Sequence, residues 1–262
     1  MMPIPKEVFN LIQVLEKHGH KAYLVGGCVR DILRDVIPKD WDIATNARPD
    51  VIQKLFPDCV YENEFGTVGV KTDSENPTLT IIEVTTFRTE SRYTDKRHPD
   101  AVKFADTIEE DLGRRDFTVN ALAMEIGKHD TKEVIDPYGG QKDLKAGVIR
   151  AVGNPHDRFE EDALRLMRAV RFAAQLGFKI EPETQKAITQ SAARIEFVSK
   201  ERIRDEFQKI LMTDRAHDGI VMMQESGLLR YVLPELEEGV GVGQNKHHIY
   251  TVFEHNLKSL EY

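Results

Sequence analysis

The sequence is poor in cysteine, holds no long apolar run and carries less positive than negative charge, and each shortage excludes something. Two cysteines, Cys28 and Cys59, cannot form a metal quartet, and so few are what a reducing compartment permits. No apolar run approaches the ~18–20 residues that a membrane span needs. The opening MMPIPKEVFN lacks the basic-then-apolar pattern of a signal peptide, so a cytoplasmic location and no membrane partner are expected. With 36 Lys and Arg against 44 Asp and Glu, the net charge of −8 argues against a globally basic nucleic-acid binder. A local basic groove remains compatible with that total.

What is present is enough for a core. At 40% hydrophobic and 31% charged residues, with 17 Gly and 11 Pro, the chain is not collagenous, mucin-like or mostly disordered. At ~150 residues per domain, 262 residues make one large domain or two small ones. Residues 151–230 have balanced charge and crowd Arg158, Arg165, Arg168 and Arg171 together, so phosphate or base contacts are expected there first.

The first 150 residues alternate short β-type runs with helical ones. Val8, Leu11, Ile12 and Leu15 share one helical face over Lys6–Lys17. Ala22–Val25, Trp41–Ala44, Cys59–Tyr61, Thr67–Lys71 and Leu79–Thr86 read as strands, and short helices fit Val29–Arg34 and the stretch opened by Asn46, Arg48 and Pro49. The polar stretch Arg88–Asp100 has no periodicity and reads as a loop. Beyond residue 150 the spacing predicts helices only: Arg158–Gly177, Glu183–Ala192, Lys200–Leu211, Ala216–Ser226 and Ile249–Leu260. The expectation is an α/β head over 1–150 with a mixed sheet, a helical neck over 151–215 and the start of a helical body over 216–262. The pattern runs on to Glu261–Tyr262 without a cap, which suggests a longer protein.

The sharpest local signal is LVGGCVRD at residues 24–31, followed by Asp40-Trp41-Asp42. A strand, two glycines and a helix start let backbone N–H groups face an anion, and Arg30 adds a charge-assisted donor. Taken alone, a pair such as Gly26-Gly27 is more often just a tight turn. On a strand Asp40 and Asp42 project from one face, where two like charges need a cation between them, and hard oxygen donors suit Mg²⁺. Glu83, acidic inside an apolar strand, is a candidate third carboxylate; a solvated strand end is the competing reading of the bare D-x-D.

In order, LVGGCVRD, DWDIAT, RYTDKRHPDAVKF, RRDFTVNALA and RFEEDALRLMRAVRFAAQLGF resemble the class II tRNA nucleotidyltransferase and bacterial poly(A) polymerase family over roughly residues 20–235. The resemblance implies a polymerase-beta-like nucleotidyltransferase head and template-free addition of CMP and AMP, from CTP and ATP, to a tRNA 3′ end. It implies Mg²⁺ on Asp40 and Asp42, and triphosphate at Gly26, Gly27 and Arg30. Ribose and phosphate contacts fall to Arg114, Arg115, Asp116 and Asn120, where the 2′-hydroxyl would meet Asp116 and Arg115. Helix capping by Asp116, with the arginines in solvent, is the plainer reading of that motif. Base recognition falls to Asp162 and Arg165 with Glu161 orienting the arginine, and Arg168 and Arg171 are further nucleotide-binding candidates. Arg92, Lys96 and Arg97 match the family's flexible loop.

The physics of the base-reading pair stands apart from the resemblance. If the stretch is helical, Asp162 and Arg165 share an edge at a spacing of three, and Glu161 and Arg165 at four. A carboxylate accepts from the amine of cytosine N4 or adenine N6, and the guanidinium donates to the adjacent ring nitrogen. Uracil and guanine reverse that order and would be rejected. An ordinary surface ion pair is the alternative for an isolated E-D-x-x-R. No Ser/His/Asp or Cys/His nucleophile is evident. Near the end, residues 244–255 resemble the entry to an HD-type metal domain, but His247, His248 and His255 lack the following His-Asp pair, and no metal is expected on them. Addition of only CC or only A, poly(A) synthesis, and non-catalytic RNA or nucleotide binding stay open as alternatives. The sequence carries no signal of oligomeric state.

Overall fold

Two units make up the computed structural model, which describes residues 2–61, 66–91, 101–127, 131–245 and 249–260. One is built from residues up to Ser91 and from 101 to Leu144; the other runs from Lys145 onward.

The first unit runs, in chain order, α1 (Lys6–Lys17), β1 (Ala22–Val25), α2 (Gly27–Leu33), β2 (Asp42–Thr45), α3 (Pro49–Leu55), β3 (Cys59–Tyr61), β4 (Thr67–Lys71) and β5 (Ile81–Thr86). It continues with β6 (Arg88–Ser91), β7 (Ala101–Phe104), α4 (Ile108–Gly113), a 3₁₀ turn at Thr118–Asn120, β8 (Ala123–Ile126), β9 (Lys132–Ile135) and α5 (Gly140–Ala146). Seven strands form one sheet in the order β3-β4-β5-β2-β1-β8-β9. β2 and β5 are parallel and the other pairs antiparallel, so the sheet is mixed as expected. The apolar face of α1 packs into the same core as Leu24, Ile43, Val68, Ile82 and Val84. Each such side chain removed from water stabilises the unit by roughly 1.5–3 kcal/mol.

The second unit contains β10 (Val148–Ile149), α6 (Pro155–Glu161), α7 (Leu164–Leu176), β11 (Lys179–Ile180), α8 (Pro182–Ser191), a 3₁₀ stretch at Ala192–Phe197, α9 (Lys200–Leu211), α10 (Ala216–Glu225), α11 (Leu229–Val232), α12 (Pro234–Glu237) and α13 (Val252–Lys258). Here α7 is the axis, and α9 and α10 pack on it. That packing needs Gly219, where a Cβ would lie 2.6 Å from Ile210 and 3.4 Å from Ala174. Gly177, left-handed at φ +69°, ends α7 as the sequence predicts.

Three expectations need correction. Arg88–Ser91 is not loop: it pairs antiparallel with Ala101–Phe104. The region beyond residue 150 is not purely helical, because β11 pairs in parallel with β10. Arg158–Gly177 is two helices, broken at Asp162, whose backbone is extended at φ −144° and ψ 107°. Its carboxylate accepts from the Leu164 N–H at 3.0 Å, the competition with helix backbone that short acidic side chains offer.

Candidate active site

Sheet register assembles the site in the first unit. Leu24 of β1 pairs with Ile43 of β2, so Asp42 begins β2 beside the point where β1 ends and Gly26 follows. On the other side of β1, Val25 pairs with Ala123 of β8, and the Gly26 N–H donates to the Leu122 carbonyl. Residues about 90 positions apart in sequence thus meet at one end of three adjacent strands.

Gly26 is required there. Its φ is +74°, and a Cβ would lie 2.7 Å from Arg115 Nη1 and 3.8 Å from Asp42 Oδ2. Gly27 has room, since the nearest atom to its Cβ would be Arg30 Nη2 at 3.6 Å. If the chain transfers nucleotides as its resemblance implies, Gly26→Ala is expected to lower nucleotide incorporation (kcat/KM) at least ~10-fold more than Gly27→Ala, since a shift of about 1 Å at a reacting site is costly. Equal losses in parallel assays of the two variants would show that the approach to Arg115 is unimportant.

Asp42 is half-buried and Asp40 exposed. Burial pushes the Asp42 carboxyl above its ordinary value, the Arg115 charge pulls it back, and Asp40 adds to the rise. Glu83 is the register partner of Asp42 on the parallel strand β5. Among the described residues, no three His, Cys, Asp or Glu side chains are grouped to hold a metal ion. Two carboxylates in mutual repulsion, with positions left to water and phosphate oxygens, nevertheless fit a hard divalent cation that keeps part of its hydration. Cys28, next to the turn, is no nucleophile: it is 2% exposed, and burial pushes its thiol up to about 12.

The RRDFTVNA segment is not in solvent. Arg114 and Arg115 both bind Asp111, at 3.0 and 3.1 Å, and the Arg88 N–H reaches the same carboxylate at 3.3 Å. Asp111 is 1% exposed. Sequence reasoning missed it, although the capping box of Thr107 and Glu110 announces α4 and sets Asp111 three and four residues ahead of the arginines. Asp116 accepts from the Phe117 N–H at 2.8 Å and from Asn120 Nδ2 at 3.3 Å. Arg30, expected at the triphosphate, is 6% exposed and binds Asn120 and Asp31.

In the second unit, Asp162 and Arg165 do not share a helix, contrary to the expectation, because the chain breaks between α6 and α7. Asp162 is bound by Arg202, at 2.7 and 3.4 Å. Glu161 joins Arg158 and Arg165, and Arg165 also donates to the Arg158 carbonyl at 3.2 Å. Arg171 pairs with the buried Glu206 at 2.6 Å and lies over the Phe172 ring at 4.0 Å; Arg168 lies over the same ring at 5.2 Å. Arg92, Lys96, Arg97, His247 and His248 lie outside the described residues. No described helix is long and apolar enough to cross a membrane.

Residues 22–150 match the family described as "Poly A polymerase head domain", and 177–239 match "Probable RNA and SrmB- binding site of polymerase A". The chain belongs to the poly(A) polymerase and tRNA nucleotidyltransferase family. Within that family it is 45% identical, over 235 residues, to a CCA-adding enzyme of a Geobacillus species (strain WCH70), covering 89% of this chain and 55% of the relative. The crystal structure of the Bacillus stearothermophilus CCA-adding enzyme in complex with CTP superposes with a TM-score of 0.81 at 39% identity, over 92% of this chain and 57% of that one. A tRNA nucleotidyltransferase complexed with a primer tRNA and an incoming ATP analogue gives 0.71 at 29% identity, over 90% and 64%. This family member thus spans just over half the length of the curated relatives it matches.

Proposed function

We propose that the chain carries the head and neck of a CCA-adding enzyme, a cytoplasmic tRNA nucleotidyltransferase that adds CMP and AMP from CTP and ATP without a nucleic-acid template. The observation that carries this reading is the meeting of Gly26, Asp42 and Arg115 at one end of the sheet. It occurs in a chain 45% identical to a protein called a CCA-adding enzyme. The domain reading is a nucleotidyltransferase head over 1–150, a neck over 151–215 and the start of a body over 216–262.

In the reaction the terminal 3′-oxygen of the RNA bonds to the α-phosphorus, the bond to the β-phosphate breaks, and pyrophosphate leaves. Asp40 and Asp42, with Glu83 beside Asp42, would hold Mg²⁺, which when bound eases deprotonation of the 3′-hydroxyl and offsets charge on the pyrophosphate. The Gly26-Gly27 turn lets backbone N–H groups approach the triphosphate, and Arg114 and Arg115 supply positive charge already fixed by Asp111. Asp116 accepts from the ribose 2′-hydroxyl. Asp162 accepts from the amine of C or A, while Arg165, held by Glu161, donates to the neighbouring ring nitrogen.

The test is selectivity. With a tRNA ending before CCA and one nucleotide supplied at a time, CMP addition should exceed UMP and GMP addition by on the order of 100-fold, because two reversed hydrogen-bonding groups are left unpaired. Arg165→Ala should erode that margin. Equal addition of CMP and UMP by the unaltered protein would overturn the base-reading assignment.

A further inference from the structure

Asp116 is held by a chain of buried polar groups that begins on α2. Asp31 accepts from Arg30 Nε at 2.9 Å and from Arg30 Nη2 at 3.0 Å, a bidentate pair that fixes the guanidinium plane. Arg30 Nη1 then donates to Asn120 Oδ1 at 2.8 Å, and Asn120 Nδ2 donates to Asp116 Oδ1 at 3.3 Å. The Phe117 N–H donates to that same oxygen at 2.8 Å. Arg30, Asn120 and Asp116 are each no more than 7% exposed. The amide of Asn120 can face only one way here: Arg30 has no acceptor, so the amide oxygen must face it, and the amide nitrogen is thereby turned to Asp116. Two donors on Oδ1 set the plane of the Asp116 carboxylate and so the direction of its other oxygen.

The 3₁₀ turn that carries Asn120 is itself fixed. Thr118 Oγ1 donates to the buried Asp143 at 2.7 Å, and a Cβ on Gly140 would lie 2.2 Å from the Thr118 carbonyl oxygen. The Arg30 donors named here turn inward, to Asp31 and Asn120. Its guanidinium braces α2 against the turn, 90 residues away in sequence.

We propose that Asp31, Arg30 and Asn120 are positioning residues for Asp116, and that this relay sets how strongly the enzyme prefers ribonucleotides over deoxyribonucleotides. The proposal rests on the reading above, in which Asp116 meets the 2′-hydroxyl. A carboxylate free to rotate would still tolerate a nucleotide, but would lose the directed bond that a 2′-hydroxyl makes and a 2′-hydrogen does not. Reassigning Arg30 changes its expected signature, from weaker triphosphate binding to weaker sugar discrimination.

The experiment is single-turnover incorporation of CMP and dCMP on a tRNA ending before CCA, by the unaltered protein and by Asp116→Ala, Asn120→Ala, Arg30→Lys and Asp31→Asn. Asp116→Ala should abolish most of the CMP-over-dCMP preference in kcat/KM. Asn120→Ala and Arg30→Lys should lower it about tenfold, near the effect of one directed hydrogen bond, since a lysine cannot span Asp31 and Asn120 with one planar fork. Asp31→Asn, which keeps the shape, should lower it less, by roughly threefold. A purely structural role predicts parallel loss of CMP and dCMP addition with the ratio unchanged; that result in Asn120→Ala and Arg30→Lys, with the ratio lost in Asp116→Ala, overturns the relay. An unchanged ratio in Asp116→Ala overturns the underlying placement of the 2′-hydroxyl instead. Thermal unfolding of each variant identifies any that fail to fold, and Arg30→Lys and Asp31→Asn, which retain volume, keep the test decisive if Asn120→Ala does.

Discussion

Replacing Asp42 with alanine is expected to reduce nucleotide incorporation on the order of 10³-fold or more while leaving the melting temperature close to that of the unaltered protein. The carboxylate sits half-buried at the start of β2, where burial and Asp40 both disfavour its charge. A group held charged at such a place contributes little to stability, and its removal relieves repulsion on Asp40. Nor does the loss strand Arg115, which keeps Asp111 at 3.1 Å. The effect therefore falls on the chemistry, where the cation that Asp40 and Asp42 would hold stabilises developing charge. Single-turnover kinetics beside a thermal melt separate the two effects, and undiminished incorporation would remove Asp42 from the reaction.

The second large effect is on stability. Asp111→Ala should destabilise the first unit by about 3 kcal/mol, because it leaves two guanidinium groups without their shared buried partner. Burial raises the Asp111 carboxyl, but the Arg114 and Arg115 charges and hydrogen bonds outweigh it and hold the group below its ordinary value. A depressed native value stabilises the fold at every pH above the unfolded value of about 3.9 and is lost as the pH falls through the native one. The difference between unaltered and Asp111→Ala protein should thus be constant from pH 7 to 5 and shrink below ~4. Chemical denaturation at those pH values checks this. A difference that grows on acidification would contradict the assigned pairing. The variant should also lose activity, since Arg115 would no longer be fixed over Gly26.

Local signals in the sequence were enough for much of the fold. The apolar stripe of α1, the β-branched run of β5 and the Pro49 start of α3 each follow from side-chain spacing, and each element forms where expected. Asp162 shows where periodicity fails: the arginine and apolar spacing continues through it, but its side chain captures the Leu164 N–H and breaks the helix. The Asp42 and Glu83 neighbourhood was legible as a conjecture, since an acidic residue inside an apolar strand asks for a reason. The bonds of Arg30 to Asn120 and of Arg202 to Asp162 were not, because they join residues 90 and 40 positions apart and depend on register that no local pattern encodes. Arg171 reads as a base-proximal cation in sequence but is held by the buried Glu206 of another helix.

A net charge of −8 does not weigh against the proposed action on RNA. Part of the acidity is Asp40, Asp42 and Asp116 at the proposed site, and part, as with Asp111 and Glu206, neutralises arginines inside the fold. The measurement that tests the central reading most directly supplies three tRNAs, ending before CCA, after C and after CC, each with Mg²⁺ and either labelled CTP or labelled ATP. CMP addition to the first two and a single AMP on the third is the predicted result. Long A tails on unrelated RNA, or no transfer to any of the three, would contradict it.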